Sequence, residues 1–233
     1  MASRSAQLAF DLRAVSRWGG RREGAGRPRG PGSRDPHRRR APLAARFPCH
    51  VTLRIRRGIP SLRKGRLVGE WRRSLREACE RGRFRVVHYS LQRDHAHLLV
   101  EAASARDLAC GMKSIGARLA RAVQRAFRRR GPVLADRCHL RVLRTPREVR
   151  NALAYVLLNV RKHWRERHGS SPPGRFDAAS SGRWFDGWRR VPVSRGPPPG
   201  APKSLEVAEP RTWLLAVGWR RHGLVDPAEL PGR

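Results

Sequence analysis

Acidic residues are scarce in this chain: 18 Asp and Glu stand against 52 Lys and Arg, leaving a formal net charge of +34 over 233 residues. That balance implies a polyanionic partner. Nucleic acid fits better than a membrane surface, because no long apolar or amphipathic segment accompanies the charge. Lysine is also rare, with only Lys64, Lys113, Lys162 and Lys203, so nearly all the basic residues are Arg. Arginine forks onto phosphate and stacks on bases, although a GC-rich coding bias would give the same preference, so the net charge carries more weight. The four cysteines, Cys49, Cys79, Cys110 and Cys138, include no C-x-x-C pair, which excludes a zinc knuckle and a compact disulfide framework. No run is long and apolar enough for a membrane span, and the N-terminus lacks the apolar core of a secretion signal. The expectation is a cytoplasmic protein with reduced thiols.

Residues 1–47 are rich in Gly, Pro and Arg and have no apolar period, so they read as a disordered basic arm. Order begins at His50, where Val51, Leu53 and Ile55 alternate with polar residues as in a strand. Leu67, Val68, Trp71, Leu75, Ala78 and Cys79 then recur at helical spacing. Phe84 to Leu91 and His95 to Glu101 read as two strands joined by the short loop Gln92-Arg93-Asp94, an antiparallel hairpin. Ser104 and Asp107 have the spacing of a helix cap before the stripe Leu108, Met112, Ile115, Leu119, Val123 and Phe127. Arg137 to Arg144 alternates as a fourth strand. Thr145-Pro146-Arg147-Glu148 combines an N-cap, a proline at the first helical position and an acid at the third, and opens a helix to about Arg167.

The order β-α-β-β-α-β is that of the ferredoxin-like split βαβ fold, an α+β class, here with an added C-terminal helix. Residues 48–167 form the predicted domain, 168–211 a Pro/Gly-rich linker, and 212–233 a short helical extension. One face of the predicted four-stranded antiparallel sheet takes Val51, Leu53, Ile55, Ala96, Leu98, Leu140 and Val142 into the core. The alternation sends His50, Thr52, Arg54, His95, His97, His139 and Arg141 to the other.

His95 and His97, one residue apart in a strand, project side by side and form half of a metal site. The final helix supplies the rest. Leu153, Leu157, Val160 and Trp164 make its buried stripe, whereas Asn151, Tyr155, Asn159 and Lys162 or His163 line another face. An Asn159 amide oxygen can complete a set of ligands around a divalent ion, with the Tyr155 phenol beside it. On their own, the histidines read first as partly exposed strand residues and the tyrosine as a boundary residue; their combination in this topology reverses that reading. Tyr89, His50, His88 and His139 read as structural, with His139 near enough to support the motif.

The run Arg93-Asp94-His95-Ala96-His97-Leu98-Leu99-Val100-Glu101, with Tyr155-Val156-Leu157-Leu158-Asn159-Val160-Arg161-Lys162-His163 about sixty residues later, resembles the single-tyrosine HUH transposases of the insertion-sequence-200-like type. The basic arm and C-terminal extension resemble the repeat-associated tyrosine transposase branch. The small Ala96 departs from the bulkier apolar residue usual between the histidines. The resemblance implies a metal-dependent DNA nuclease and strand transferase, in which His95, His97 and Asn159 hold Mg²⁺ or Mn²⁺. Tyr155 would attack single-stranded or hairpin DNA and form a 5′-phosphotyrosine, with Arg54, Arg141, Lys162, Arg189 and Arg190 as DNA contacts. It also implies a bacterial, nucleoid-associated protein, as a monomer or a homodimer. A non-catalytic or domesticated nucleic-acid-binding protein on the same fold stands as the alternative.

Overall fold

The computed structural model describes residues 42–169, 176–191 and 206–232; most of the basic arm lies outside them. The elements follow the predicted order: β1 (Cys49–Arg54), α1 (Gly65–Arg76), a two-residue β2 (Glu80–Arg81), β3 (Phe84–Leu91), β4 (His95–Ala102), α2 (Ala105–Phe127), β5 (His139–Val142), α3 (Pro146–His168) and a single-turn α4 (Trp213–Ala216). The sheet runs β2-β3-β4-β1-β5 with every pair antiparallel. The four longer strands thus have the split βαβ order, and the short β2 is an edge addition. Among the described residues no helix is long and apolar enough to cross a membrane.

Two cores sandwich the sheet. Beneath it, Val51, Leu53, Ala96, Leu98 and Val100 pack on the apolar stripes of α1 and α2, including Leu67, Trp71, Leu75, Leu108, Ile115, Leu119 and Val123. Leu140 and Val142 join this core from the edge strand only partly buried. Above it, Val87 of β3 and Leu99 of β4 pack with Val149, Leu153, Val156 and Leu157 of α3. The sheet's second face is therefore not open throughout: α3 covers the half under Val87 and Leu99. β4 accordingly carries apolar residues on both faces at Leu98, Leu99 and Val100, all fully buried, as a strand covered on two sides must.

The signal for α3 works as expected. Thr145 Oγ1 accepts from the Glu148 N–H, the Glu148 carboxylate accepts from the Thr145 N–H, Pro146 occupies the first turn and Gly169 ends the helix in a left-handed conformation.

Residues beyond α3 are part of this body. Segment 176–191, expected within a linker, places Ala179 in the lower core and Phe185 and Trp188 in the upper one. Arg63 grips Asp177 through two hydrogen bonds of 2.9 and 2.7 Å. Leu214, Leu215 and Trp219 cover the outer side of α3. Two buried carboxylates pin the later segments. Glu101 on β4 faces Arg85 at 3.3 Å and accepts from the N–H groups of Arg211 and Thr212 and from the Thr212 hydroxyl. Glu206 accepts from the Tyr89 hydroxyl at 3.3 Å and the Trp184 indole at 2.8 Å. Tyr89 is thereby a structural residue, and its phenol is pushed well above its usual range by burial and by Glu206.

Candidate nucleotidyl-transfer site

β4 sets the two histidines and α3 brings the tyrosine to them. Register matters first: β1 and β4 pair so that Thr52 lies opposite His97 and Arg54 opposite His95. With the side-chain period of two, His50 and Thr52 of β1 share a face with His95 and His97 of β4. The Nε2 atoms of His95 and His97 lie 3.0 Å apart. Behind them, His95 Nδ1 donates to the Asp94 carboxylate at 2.8 Å, while His97 Nδ1 stands 3.1 Å from both Thr52 Oγ1 and His50 Nε2.

Tyr155 meets this group from above. Its ring is edge-on to His97 with centroids 5.1 Å apart, and lies 5.7 Å from the His50 ring. Lys162, two turns along α3, holds its Nζ 5.7 Å from the Tyr155 ring centre. His163 brings its ring within 6.3 Å of His95. A cavity of about 560 Å³ opens beside the tyrosine, walled by Thr52, His97, His139, Arg141, Asn151 and Lys162, among others. Its size is that of a site for a small ligand or one nucleotide unit.

The electrostatics follow from burial among like groups. His97 is held far below its ordinary value, at about 2, by desolvation and by His50, His95 and His163. His50 is lowered to about 4 by desolvation and then by His139 and Arg141. Both rings are therefore neutral, as metal ligands and their supports must be. The Tyr155 phenol is raised by burial and by Glu166, so it is a weak nucleophile in the free protein.

Asn159 lies one turn after Tyr155 and is completely buried, yet neither its Oδ1 nor its Nδ2 has a hydrogen-bond partner. A buried amide without partners costs about 1–3 kcal/mol. It is not among the residues lining the open cavity. Among the described residues no group of three or more His, Cys, Asp or Glu could hold a metal ion; the candidate set is two imidazoles and this amide. The two facing Nε2 atoms suit a divalent cation, and the orphaned Asn159 amide lies on the helix that carries Tyr155, one turn further on.

The expected DNA contacts divide. Arg141 and Lys162 line the cavity, and Arg141 also donates to Glu148 at 3.2 Å. Arg54 is exposed beside the histidine strand. Arg189 and Arg190 are exposed but are not among the cavity residues. His50 and Thr52 are the residues that a reading of single segments underrates. Their role depends on cross-strand register, which the alternation in β1 signals only once its partner strand is known.

The class defined by this geometry is an α+β domain of split βαβ order, with a strand-borne histidine pair faced by a helix-borne tyrosine. Residues 47–137, less than half of the chain, match the family model described as "Transposase IS200 like". The match includes His95 and His97 and ends before α3, so it does not reach Tyr155 or Asn159. A solved structure of a REP-associated tyrosine transposase bound to a REP hairpin is similar at 14% identity over 55% of this chain and 74% of that one, with a TM-score of 0.43. No curated protein matches the chain.

Proposed function

We propose that the protein is a metal-dependent, single-tyrosine DNA nuclease and strand transferase that acts on single-stranded or hairpin DNA. One observation carries the reading: in a single chain the Tyr155 ring lies against His97, whose Nε2 is 3.0 Å from that of His95. The expected nucleophile on α3 and His97 on β4 come from different elements and line one cavity.

His95, His97 and Asn159 would hold the ion, and two imidazoles favour Mn²⁺ over Mg²⁺ on ligand softness. When bound, a divalent ion would polarise the scissile phosphate and offset charge growing on its oxygens. The remaining work belongs to the chain. Asp94 orients His95, and the packing of Tyr155 between His50, His97 and Lys162 limits the directions in which its oxygen can approach phosphorus. Attack forms the Tyr155 O–P bond and breaks the P–O3′ bond. The phenolic proton is balanced by the proton gained on the released 3′-hydroxyl. One phosphodiester replaces another, so a second 3′-hydroxyl can reverse the attack and join strands without an energy-supplying cofactor. Arg141 and Lys162 supply positive charge at the cavity for the flanking phosphates.

Incubation of the full chain with Mn²⁺ and a library of labelled hairpin oligonucleotides should give a covalent protein–DNA band carried by Tyr155. Y155F should bind the same DNA and give no band. Adducts that persist in Y155F would overturn the assignment. DNA binding indifferent to chelation and to H95A, with no adduct from any oligonucleotide, would favour the non-catalytic alternative.

A further inference from the structure

His95 and His97 are supported by different chemistry. His95 Nδ1 faces a carboxylate, Asp94, which when ionised can only accept; this fixes the proton on Nδ1 and a lone pair on Nε2. His97 Nδ1 faces Thr52 Oγ1 and His50 Nε2, each at 3.1 Å, and each able to donate or to accept.

The 3.0 Å gap between the two Nε2 atoms makes that difference matter. Two lone pairs cannot face each other across it, so with both rings neutral and no cation between them His97 carries its proton on Nε2 and donates to His95. Its Nδ1 is then a lone pair and needs a donor. With a cation in the gap, Nε2 of His97 must present its lone pair, the proton resides on Nδ1, and Nδ1 needs an acceptor. A carboxylate could serve only the second arrangement.

We propose that Thr52 and His50 form a reversible hydrogen-bond relay that lets His97 exchange its two neutral tautomers as a divalent cation enters and leaves, a positioning role that rests on the metal-dependent reading above. The Thr52 hydroxyl rotates from donor to acceptor, and His50 can make the same change by shifting its own ring proton. Each imidazole gains one N–H for the one it loses, so the exchange needs no net proton uptake, and the adjoining cavity gives solvent access for the transfer. Cross-strand register holds the relay in place: Thr52 pairs directly with His97, and His50 sits two residues along the same face.

The test is calorimetric titration of Mn²⁺ into the full chain without DNA. Either T52V or H50L alone should weaken binding by no more than about 3-fold, because the other partner remains. The double variant T52V/H50L should weaken it by about 10–100-fold, the range for loss of an outer-shell partner, and T52S/H50L should return to within about 3-fold of the parent. Nitrogen-15 imidazole spectra should show His97 protonated on Nε2 in the metal-free protein and on Nδ1 with Zn²⁺ bound. T52V, which keeps His50 and much of the packing, provides the same spectral comparison should the double variant not fold. Parental affinity in the folded double variant, or an unchanged His97 tautomer with and without Zn²⁺, overturns the relay while leaving the metal site intact. Mn²⁺ binding that is absent from the parent, or that survives in H95A, overturns the metal reading and the relay with it.

Discussion

The Tyr155 ring stands edge-on to His97 with 5.1 Å between centroids, so the phenol is placed in an electrostatic environment that a cation near His97 would change. In the metal-free protein burial and Glu166 push the Tyr155 phenol above its ordinary value of 10. A divalent charge nearby stabilises phenolate and acts in the opposite direction. Phenolate absorbance, taken as the difference between the parent and Y155F, should show ionisation above pH 10 without metal and a shift toward lower pH with Mn²⁺. An unchanged curve would separate the tyrosine from the ion.

Asn159 should be a residue whose loss stabilises the metal-free fold. Its amide is fully buried and makes no hydrogen bond, so a leucine, which keeps the same branching, removes a desolvation cost. N159L should raise the metal-free stability by about 1–3 kcal/mol in urea unfolding, and should weaken Mn²⁺ binding. Destabilisation by the leucine would mean that the amide is satisfied in solution.

Acid should weaken the metal-free protein before its carboxylates titrate. His50 is lowered to about 4 from an ordinary 6.5, so below 6.5 the unfolded chain binds a proton that the folded chain refuses. The stability held above pH 6.5 is therefore lost as pH falls toward 4, on the order of 3 kcal/mol at about 1.4 kcal/mol per unit. His97, lowered to about 2, extends the loss further. Glu148 and Asp94 are also lowered, Glu148 chiefly by the Arg144 N–H and Asp94 by His95, and their contributions fall at lower pH still. Urea midpoints between pH 7 and 5 should slope less in H50Q than in the parent.

Glu101 should be among the most costly residues to truncate, although it lies outside the proposed chemistry. It is 2% exposed and serves Arg85, two backbone N–H groups and the Thr212 hydroxyl. E101A leaves those donors without their acceptor and should cost about 3–5 kcal/mol. Thermal unfolding would show it, and a loss below about 1 kcal/mol would mean that the later segments are only loosely held.

Much of this was legible in the chain itself. Alternation at Val51, Leu53 and Ile55, the hairpin around Gln92–Asp94 and the capping box at Thr145 act through neighbours only a few residues away, and each gave the element observed. His95-x-His97 and Tyr155 were marked by residue type, and the structure brings them together. What stayed hidden depends on distant partners. The relay residues His50 and Thr52 acquire meaning only from the pairing of β1 with β4. Segment 176–191 has linker-like composition, and its docking depends on Arg63 and Tyr89, far back in the chain. Leu99 has the residue type of any strand position, and its burial depends on α3, which packs on it from a distant part of the chain.

The clasps behind the site also bear on when the chain can assemble it. Arg150 of α3 joins Glu229 across 79 residues, Arg211 reaches Glu101 across 110, and Tyr89 reaches Glu206 across 117. Contacts of such separation are entropically late to close and slow folding. During synthesis, the histidine strand and the helix bearing Tyr155 emerge well before the segments that cover that helix. A nascent chain therefore passes through a stage in which the support of Tyr155 is incomplete, and the arrangement around it is completed only as the later segments dock.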